Sequence, residues 1–144
     1  ALAYRNRGIV LVSDKPDRAI KDLDEALRRN PNDYSTYFHR GHAWSEQHKH
    51  DRAIEDYTQA LRLNPNHKNS YWFRGHSWSA RLEYDRAITD YTHAVRLDPK
   101  DASNYTARAR AWHKKREYEH AIEDYTQALR LWPFQAISRQ AIQQ

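Results

Sequence analysis

Tyr37-Phe38-His39-Arg40-Gly41-His42-Ala43-Trp44, then Asp51-Arg52-Ala53-Ile54, then Asn64-Pro65, is a pattern that this chain repeats. Its middle element recurs as Asp17-Arg18-Ala19-Ile20, as Asp85-Arg86-Ala87-Ile88 and, more loosely, as Glu119-His120-Ala121-Ile122, in steps of 34 residues. Pro31, Pro65, Pro99 and Pro133 keep the same interval. The first element recurs as Tyr71, Arg74, Gly75, Trp78 and as Tyr105, Arg108, Ala109, Trp112. Its earliest copy, Tyr4, Arg7, Gly8, Leu11, stands 33 residues before the second, so the turn near Pro16 is one residue short.

Within each unit the apolar residues step by three and four, as in Tyr37, Gly41, Trp44 and in Ala53, Tyr57, Ala60, Leu61, which is one face of a helix. Each unit therefore reads as two helices. An aspartate opening Asp51-Arg52-Ala53-Ile54 suits an N-cap, and the residue before each proline is driven out of helical geometry. The spacing predicts helices at about 1–13, 17–29, 34–47, 51–63, 68–81, 85–97, 102–115 and 119–131, with a ninth from about 134 and no strands. Glycine inside a helix costs ~1 kcal/mol against alanine. The fourth copy has Ala109 where Gly8, Gly41 and Gly75 stand, so small size rather than backbone freedom is what the position demands.

The composition agrees. With 144 residues, Gly 3, Pro 5 and 30% charged residues, the chain fits one globular unit rather than a disordered or collagen-like one. Cys 0 removes disulfides, thiolate metal sites and cysteine nucleophiles. No apolar run approaches the ~20 residues that cross a bilayer, and the first residues lack a signal peptide's apolar stretch, so a cytoplasmic protein without a membrane partner is expected. A net charge of +5 hides 24 basic and 19 acidic residues in close alternation, the usual sign of a solvated surface.

Tyr-x-x-Arg-Gly-x-x-Trp, Ala-x-x-x-Tyr and Asn-Pro at a 34-residue period closely resemble the tetratricopeptide repeat family, over four units at 1–33, 34–67, 68–101 and 102–133. The resemblance implies an all-α, right-handed superhelix of antiparallel helix pairs, an α-solenoid, to which residues 134–144 would add a capping helix. It also implies a concave groove, lined by the first helix of each pair, that binds a peptide or partner helix. Carried over from the family pattern, the groove residues are Arg5; Phe38, His39 and His42; Trp72, Phe73 and His76; and Arg110, His113 and Lys114. Leu2, Asn6, Ile9, Ser45, Asn69, Ser103 and Thr106 accompany them. Phe38, Trp72 and Phe73 are the expected apolar anchors, since large apolar groups on an exposed face mark an interaction surface. The family members that grip acidic chaperone tails use Lys and Asn, then Asn, then Lys and Arg at places held here by Arg5 and Ile9, His39, and Asn69 and Phe73. Arg5 alone keeps the charge, which disfavours that ligand.

Other readings weigh less. Arg7, Arg40, Arg74 and Arg108 could form a phosphate-binding stripe, but Asp22, Asp56, Asp90 and Asp124 recur in step with them, which favours a structural fork between paired helices. Single-stranded nucleic acid along the basic fourth repeat, with Lys114-Lys115-Arg116, is the alternative function. Nine histidines raise a metal site, with His42 and His76 on neighbouring helices, but no third ligand and no His-Glu-x-x-His motif appear, so no metal or other cofactor is expected. They also raise pH-sensitive binding. Without a phosphate loop or a Gly-x-Ser-x-Gly elbow, no enzyme is expected. Phe134, Ala136, Ile137, Ala141 and Ile142 recur at helical spacing. With Trp132 beside them they predict a capping helix that either covers the fourth repeat only in part, with weak self-association through the C-terminal end, or packs Trp132 wholly beneath it.

Overall fold

A computed structural model describes the backbone of residues 1–142 and the side chains of residues 1–132. Eight helices follow one another, with no strand among the described residues: α1 (Leu2–Leu11), α2 (Pro16–Arg29), α3 (Tyr34–Glu46), α4 (His50–Leu63), α5 (Lys68–Ala80), α6 (Tyr84–Leu97), α7 (Ala102–Lys114) and α8 (Tyr118–Ile142). Each packs on the next. The first helices of successive pairs also touch, α1 on α3, α3 on α5 and α5 on α7, whereas the second helices do not meet one another among the described residues. An array whose first helices approach more closely than its second helices curves with the first helices inside. This is the α-solenoid that stacked hairpins make when none can bury its apolar face alone.

The two helices of a pair meet at the small residues. A Cβ placed on Gly41 would stand 2.8 Å from Cε1 of the buried Tyr57, and one on Gly75 2.7 Å from that of Tyr91. Ala109 is accommodated in the fourth repeat, where Tyr125, at the repeat position of Tyr57 and Tyr91, is exposed. On the partner helices Ala19, Ala53, Ala87 and Ala121 are buried.

Two expectations change. The aspartates of Asp17-Arg18, Asp51-Arg52 and Asp85-Arg86 are not N-caps: α2, α4 and α6 are preceded by Lys15, Lys49 and Glu83, and the aspartates lie within the first turn. There they face the positive end of the helix dipole and reach the following repeat, Asp51 to Arg81 at 2.8 Å and Asp85 to Lys115 at 2.6 Å. For Asp51 and Asp85 the shift follows from the turns, which close through left-handed residues at His48 (φ 58) and Leu82 (φ 63), as the turn before α8 does at Arg116 (φ 65). In each, the amide of the following residue bonds back to the carbonyl of Trp44, Trp78 or Trp112.

The second change is at the end, where the predicted eighth and ninth helices are one element, α8. After α2 and α4 the chain leaves the helix at Asn30 and Asn64, both extended, whose side-chain oxygens accept the N–H of Asn32 and Asn66. Trp132 holds that place in the fourth repeat and offers no acceptor to build the turn. The expected packing of residues 134–144 as a cap lies outside the described side chains.

An L-residue in the left-handed region costs roughly 1–2 kcal/mol, and the exposed Leu82 has nothing to compensate it. Leu82→Gly is expected to raise stability by about 1 kcal/mol in urea-unfolding experiments, while Gly41→Ala, which drives a methyl into Tyr57, lowers it by roughly 1–3 kcal/mol.

Candidate functional site

The scaffold of the groove is a ladder of forks. Arg7, Arg40, Arg74 and Arg108 each donate Nε and Nη2 to the two carboxylate oxygens of Asp22, Asp56, Asp90 and Asp124, at 2.7 to 2.8 Å. The carboxylates are buried and the guanidinium carbons lie over Tyr4, Tyr37, Tyr71 and Tyr105. The bond to Asp56 holds the Arg40 guanidinium above its ordinary value. Every fork joins the two helices of one repeat, so this charge belongs to the frame.

The residues expected to line the groove divide into three groups. Trp72 and Phe73 lie together in a cleft of about 210 Å³ with Lys68, Asn69, Asp101, Ser103 and Asn104. Their rings meet edge to face at 5.1 Å, and His76 packs on Trp72 at 4.2 Å. Phe38 does not join them as an exposed anchor. It is buried, with Phe73 at 5.4 Å, Tyr57 at 5.9 Å and His67 at 5.0 Å around its ring, so it is floor rather than surface. His39 stands against it at 5.0 Å, and His42 lies 5.0 Å from Phe73 and 3.4 Å from Glu46.

Arg5 sits apart, in a smaller cleft of about 120 Å³ with Leu2, Asn30, Asp33 and Thr36. Its guanidinium is bound to Asp33 at 3.0 Å, so its charge ties the first repeat to the second. Burial alone would raise the Asp33 carboxyl, but bonds from Thr36, Arg5 and the Ser35 amide hold it below the usual range. In the fourth repeat Arg110, His113 and Lys114 are exposed; His113 packs on Tyr118 at 5.4 Å. Neither Arg110 nor Lys114 has an ion-pair partner among the described residues. Lys115, the centre of the basic cluster, is engaged by Asp85 and lies over Trp112.

Lys68, Asp101, Asn104 and His67 were not among the residues expected at the site. Asp101 caps α7 through the Ser103 amide, as Asp33 caps α3 through Ser35, and this pairing was legible as a repeated acid before the first helix. Asn104 shares its repeat position with Thr36 and Ser70, all buried polar groups, and its amide donates to the carbonyls of Ala94 and Asp98. Lys68 replaces Tyr34 of the previous repeat and bonds Asp98, a departure from the pattern that marks it. Among the described residues no three His, Asp or Glu groups converge as a metal ion needs, and no helix is long and apolar enough to cross a membrane.

Two models of the tetratricopeptide repeat match the sequence, one over residues 34–67 and one over 74–136. Among solved structures, a crystal structure of MamA superposes with TM-score 0.89 at 21% identity, over 92% of this chain and 78% of that one. The first such domain of Spaghetti (RPAP3), bound to the HSP90 peptide SRMEEVD, superposes with TM-score 0.75 at 21% identity, over 78% of this chain and 90% of that one. At these identities the likeness is one of fold. A search of curated protein sequences gives no match.

Burial in the aromatic floor, aided by the charges of His42, His67 and Arg5, lowers the His39 pKa to about 4, and burial lowers that of His67 as well. In the unfolded chain both titrate near 6.5. Between about 4 and 6.5 the unfolded state therefore binds more protons, and this part of the stability, full at neutral pH, is lost as pH falls through that window. The melting temperature is expected to drop from pH 7 to pH 5 by more in the wild type than in His39→Phe. Equal drops would show that His39 titrates as it does in the unfolded chain.

Proposed function

The chain belongs to the tetratricopeptide repeat family, a scaffold of protein–protein interaction, and we propose that its concave groove captures an extended peptide or partner helix without catalysis. The observation that carries this reading is the cleft between the third and fourth repeats. Two large rings, Trp72 and Phe73, stand beside the amide of Asn69 and the hydroxyl of Ser103 in one concavity. Apolar anchors next to a few polar groups are what peptide recognition uses, the rings supplying contact area and the amide fixing the main chain. His76 supports Trp72, and the unpaired Arg110 and Lys114 set the polarity, placing an acidic group of the partner along the fourth repeat. His39, His42 and His113 line the rest of the path.

The RPAP3 domain is bound to an HSP90 peptide on this fold, which supports a peptide as the partner. The present chain is not arranged for that acidic tail, because Arg5 is committed to Asp33, and Asn69 and Phe73 stand where Lys and Arg would serve. Binding of single-stranded nucleic acid gains nothing from the ladder, whose arginines are all engaged.

The test is selection from a peptide display library with the 144-residue chain as bait. Peptides enriched by the wild type are expected to bind Trp72→Ala about thirtyfold or more weakly, the cost of truncating an aromatic anchor. Arg74→Ala is expected to lower stability by about 3 kcal/mol and leave affinity for the same peptides within twofold below its melting point, since its fork is frame and not surface. Peptides that bind Trp72→Ala as well as wild type would reject the groove. Preferential binding of oligothymidylate that weakens steeply with salt would favour the nucleic-acid reading instead.

A further inference from the structure

One contact between neighbouring repeats is built in three different ways along this chain. A side chain on the first helix of one repeat faces the residue that precedes the first helix of the next. At the first junction these are Arg5 and Asp33, and Arg5 Nη1 donates to Asp33 Oδ2 at 3.0 Å. At the second they are Phe38 and His67, whose rings meet edge to face at 5.0 Å. At the third they are Trp72 and Asp101, which line the open cleft together. The sequence spacing of the pair is the same at the second and third junctions and one residue less at the first, where the turn near Pro16 is short.

Asp33 and Asp101 cap their helices alike, Oδ1 accepting the amide of Ser35 in the one and of Ser103 in the other. They differ at Oδ2. That of Asp33 accepts Arg5 and the Thr36 hydroxyl. That of Asp101 receives neither: Trp72 stands at the place of Arg5, and Asn104, at the place of Thr36, turns its amide to the carbonyls of Ala94 and Asp98. Two cations are near, and both act on Asp98, whose carboxyl the Lys68 bond and then the Lys100 amide and charge hold below its ordinary value. Lys68 lies within the field of Asp101 but gives its hydrogen bond to Asp98, at 2.5 Å. Arg110 is about 13 Å further along α7 at 1.5 Å per residue. That exceeds the ~8 Å over which exposed charges act on one another at physiological salt.

We propose that the partner supplies the group missing at the third junction: an arginine of the bound peptide enters the cleft, its guanidinium on Asp101 Oδ2 and its plane against the Trp72 ring. This rests on the reading of the groove as a peptide site and names what that site selects. The occupant is a guanidinium because the chain itself places one on the equivalent carboxylate, Asp33, at the first junction. Arginines of this protein also lie over tryptophans, Arg52 on Trp44 and Arg86 on Trp78, each at 4.6 Å. Arginine suits both demands at once, since its planar fork bonds a carboxylate while its face rests on a ring, whereas the lysine ammonium is a compact and strongly hydrated point charge. A glutamate or aspartate in the same place would meet Asp101 as a like charge, which sets the site against acidic residues as well as for arginine.

Three display libraries of random peptides, identical except for a central residue fixed as arginine, leucine or glutamate, are panned against the 144-residue chain. The arginine library is expected to give the tightest binders. When these are synthesised with citrulline at the centre, which keeps the shape and removes the charge, they are expected to bind the wild type about tenfold or more weakly, the worth of a charged hydrogen bond. Asp101→Asn retains an oxygen to cap the Ser103 amide and is expected to lose the same factor against the arginine peptides. Arginine and citrulline forms are then expected to bind Asp101→Asn alike, because the two losses are one interaction. The citrulline comparison is made on the wild type, so a misfolded variant leaves it decisive. Binders that need Trp72 but show no preference for arginine overturn this inference and leave the groove standing. Arginine peptides that bind Asp101→Asn as tightly as wild type, or losses that add rather than coincide, overturn it too. Binders indifferent to Trp72→Ala reject the groove and the inference together.

Discussion

The approach of a ring to a bare backbone sets the dimensions of this molecule. Tyr57 against Gly41 and Tyr91 against Gly75 bring paired helices so close that no Cβ fits between them without displacement. At that separation an arginine on the first helix reaches a carboxylate on the second with both nitrogens at hydrogen-bond length, and a tyrosine one turn earlier lies under the guanidinium. A longer separation would leave a buried aspartate without its fork, which costs several kcal/mol. The contact and the fork therefore select the same geometry in the second and third repeats, and the fork recurs in all four.

A frame defined this way leaves the inner surface to vary. The residues that pack within the pair repeat almost unchanged, while on the inner face Trp72 and Phe73 have no like neighbours in the fourth repeat, where Thr106 and Ala107 follow Tyr105. Across the cleft the rings of the third repeat face Ser103 and Asn104 of the fourth, and the space between them stays open. Between the second and third repeats Phe38 faces Phe73, and the space is filled.

That difference also marks what was legible in the sequence. The hairpins, the fold and the Arg–Asp forks were readable because each is a relation between positions that recurs in phase. Phe38 as floor was not, since its burial depends on which ring the next repeat places opposite, a pairing that no single-repeat pattern contains. The ion pair of Arg5 was not readable for the same reason, its partner Asp33 being the cap of α3. The left-handed turns at His48, Leu82 and Arg116 gave no glycine to signal them, and the aspartates beyond were read as caps in consequence. The merged α8 follows from one residue, Trp132, where the carboxamide that builds the turn is missing.

The third bond of Arg40, Arg74 and Arg108 has a different task from the other two. All four forks are chemically alike, so they cannot distinguish one repeat from the next, and four near-identical hairpins invite mispairing during folding. Short turns fix which helices pair within a hairpin. The contact between hairpins is less constrained, and there the arginine meets Asp24 at the first junction and Thr58 and Thr92 at the others. At this position the first junction is ionic, reinforced by Arg5 on Asp33, whereas the later two carry a neutral bond here and place their ion pairs elsewhere, at Asp51–Arg81 and Asp85–Lys115. An ionic junction placed next to the shortened turn holds the first hairpin, whose second-helix partner Leu23 is smaller than the tyrosines that fill the other repeats. Where a leucine stands in place of the tyrosine, the arginine of the next repeat reaches back to a carboxylate.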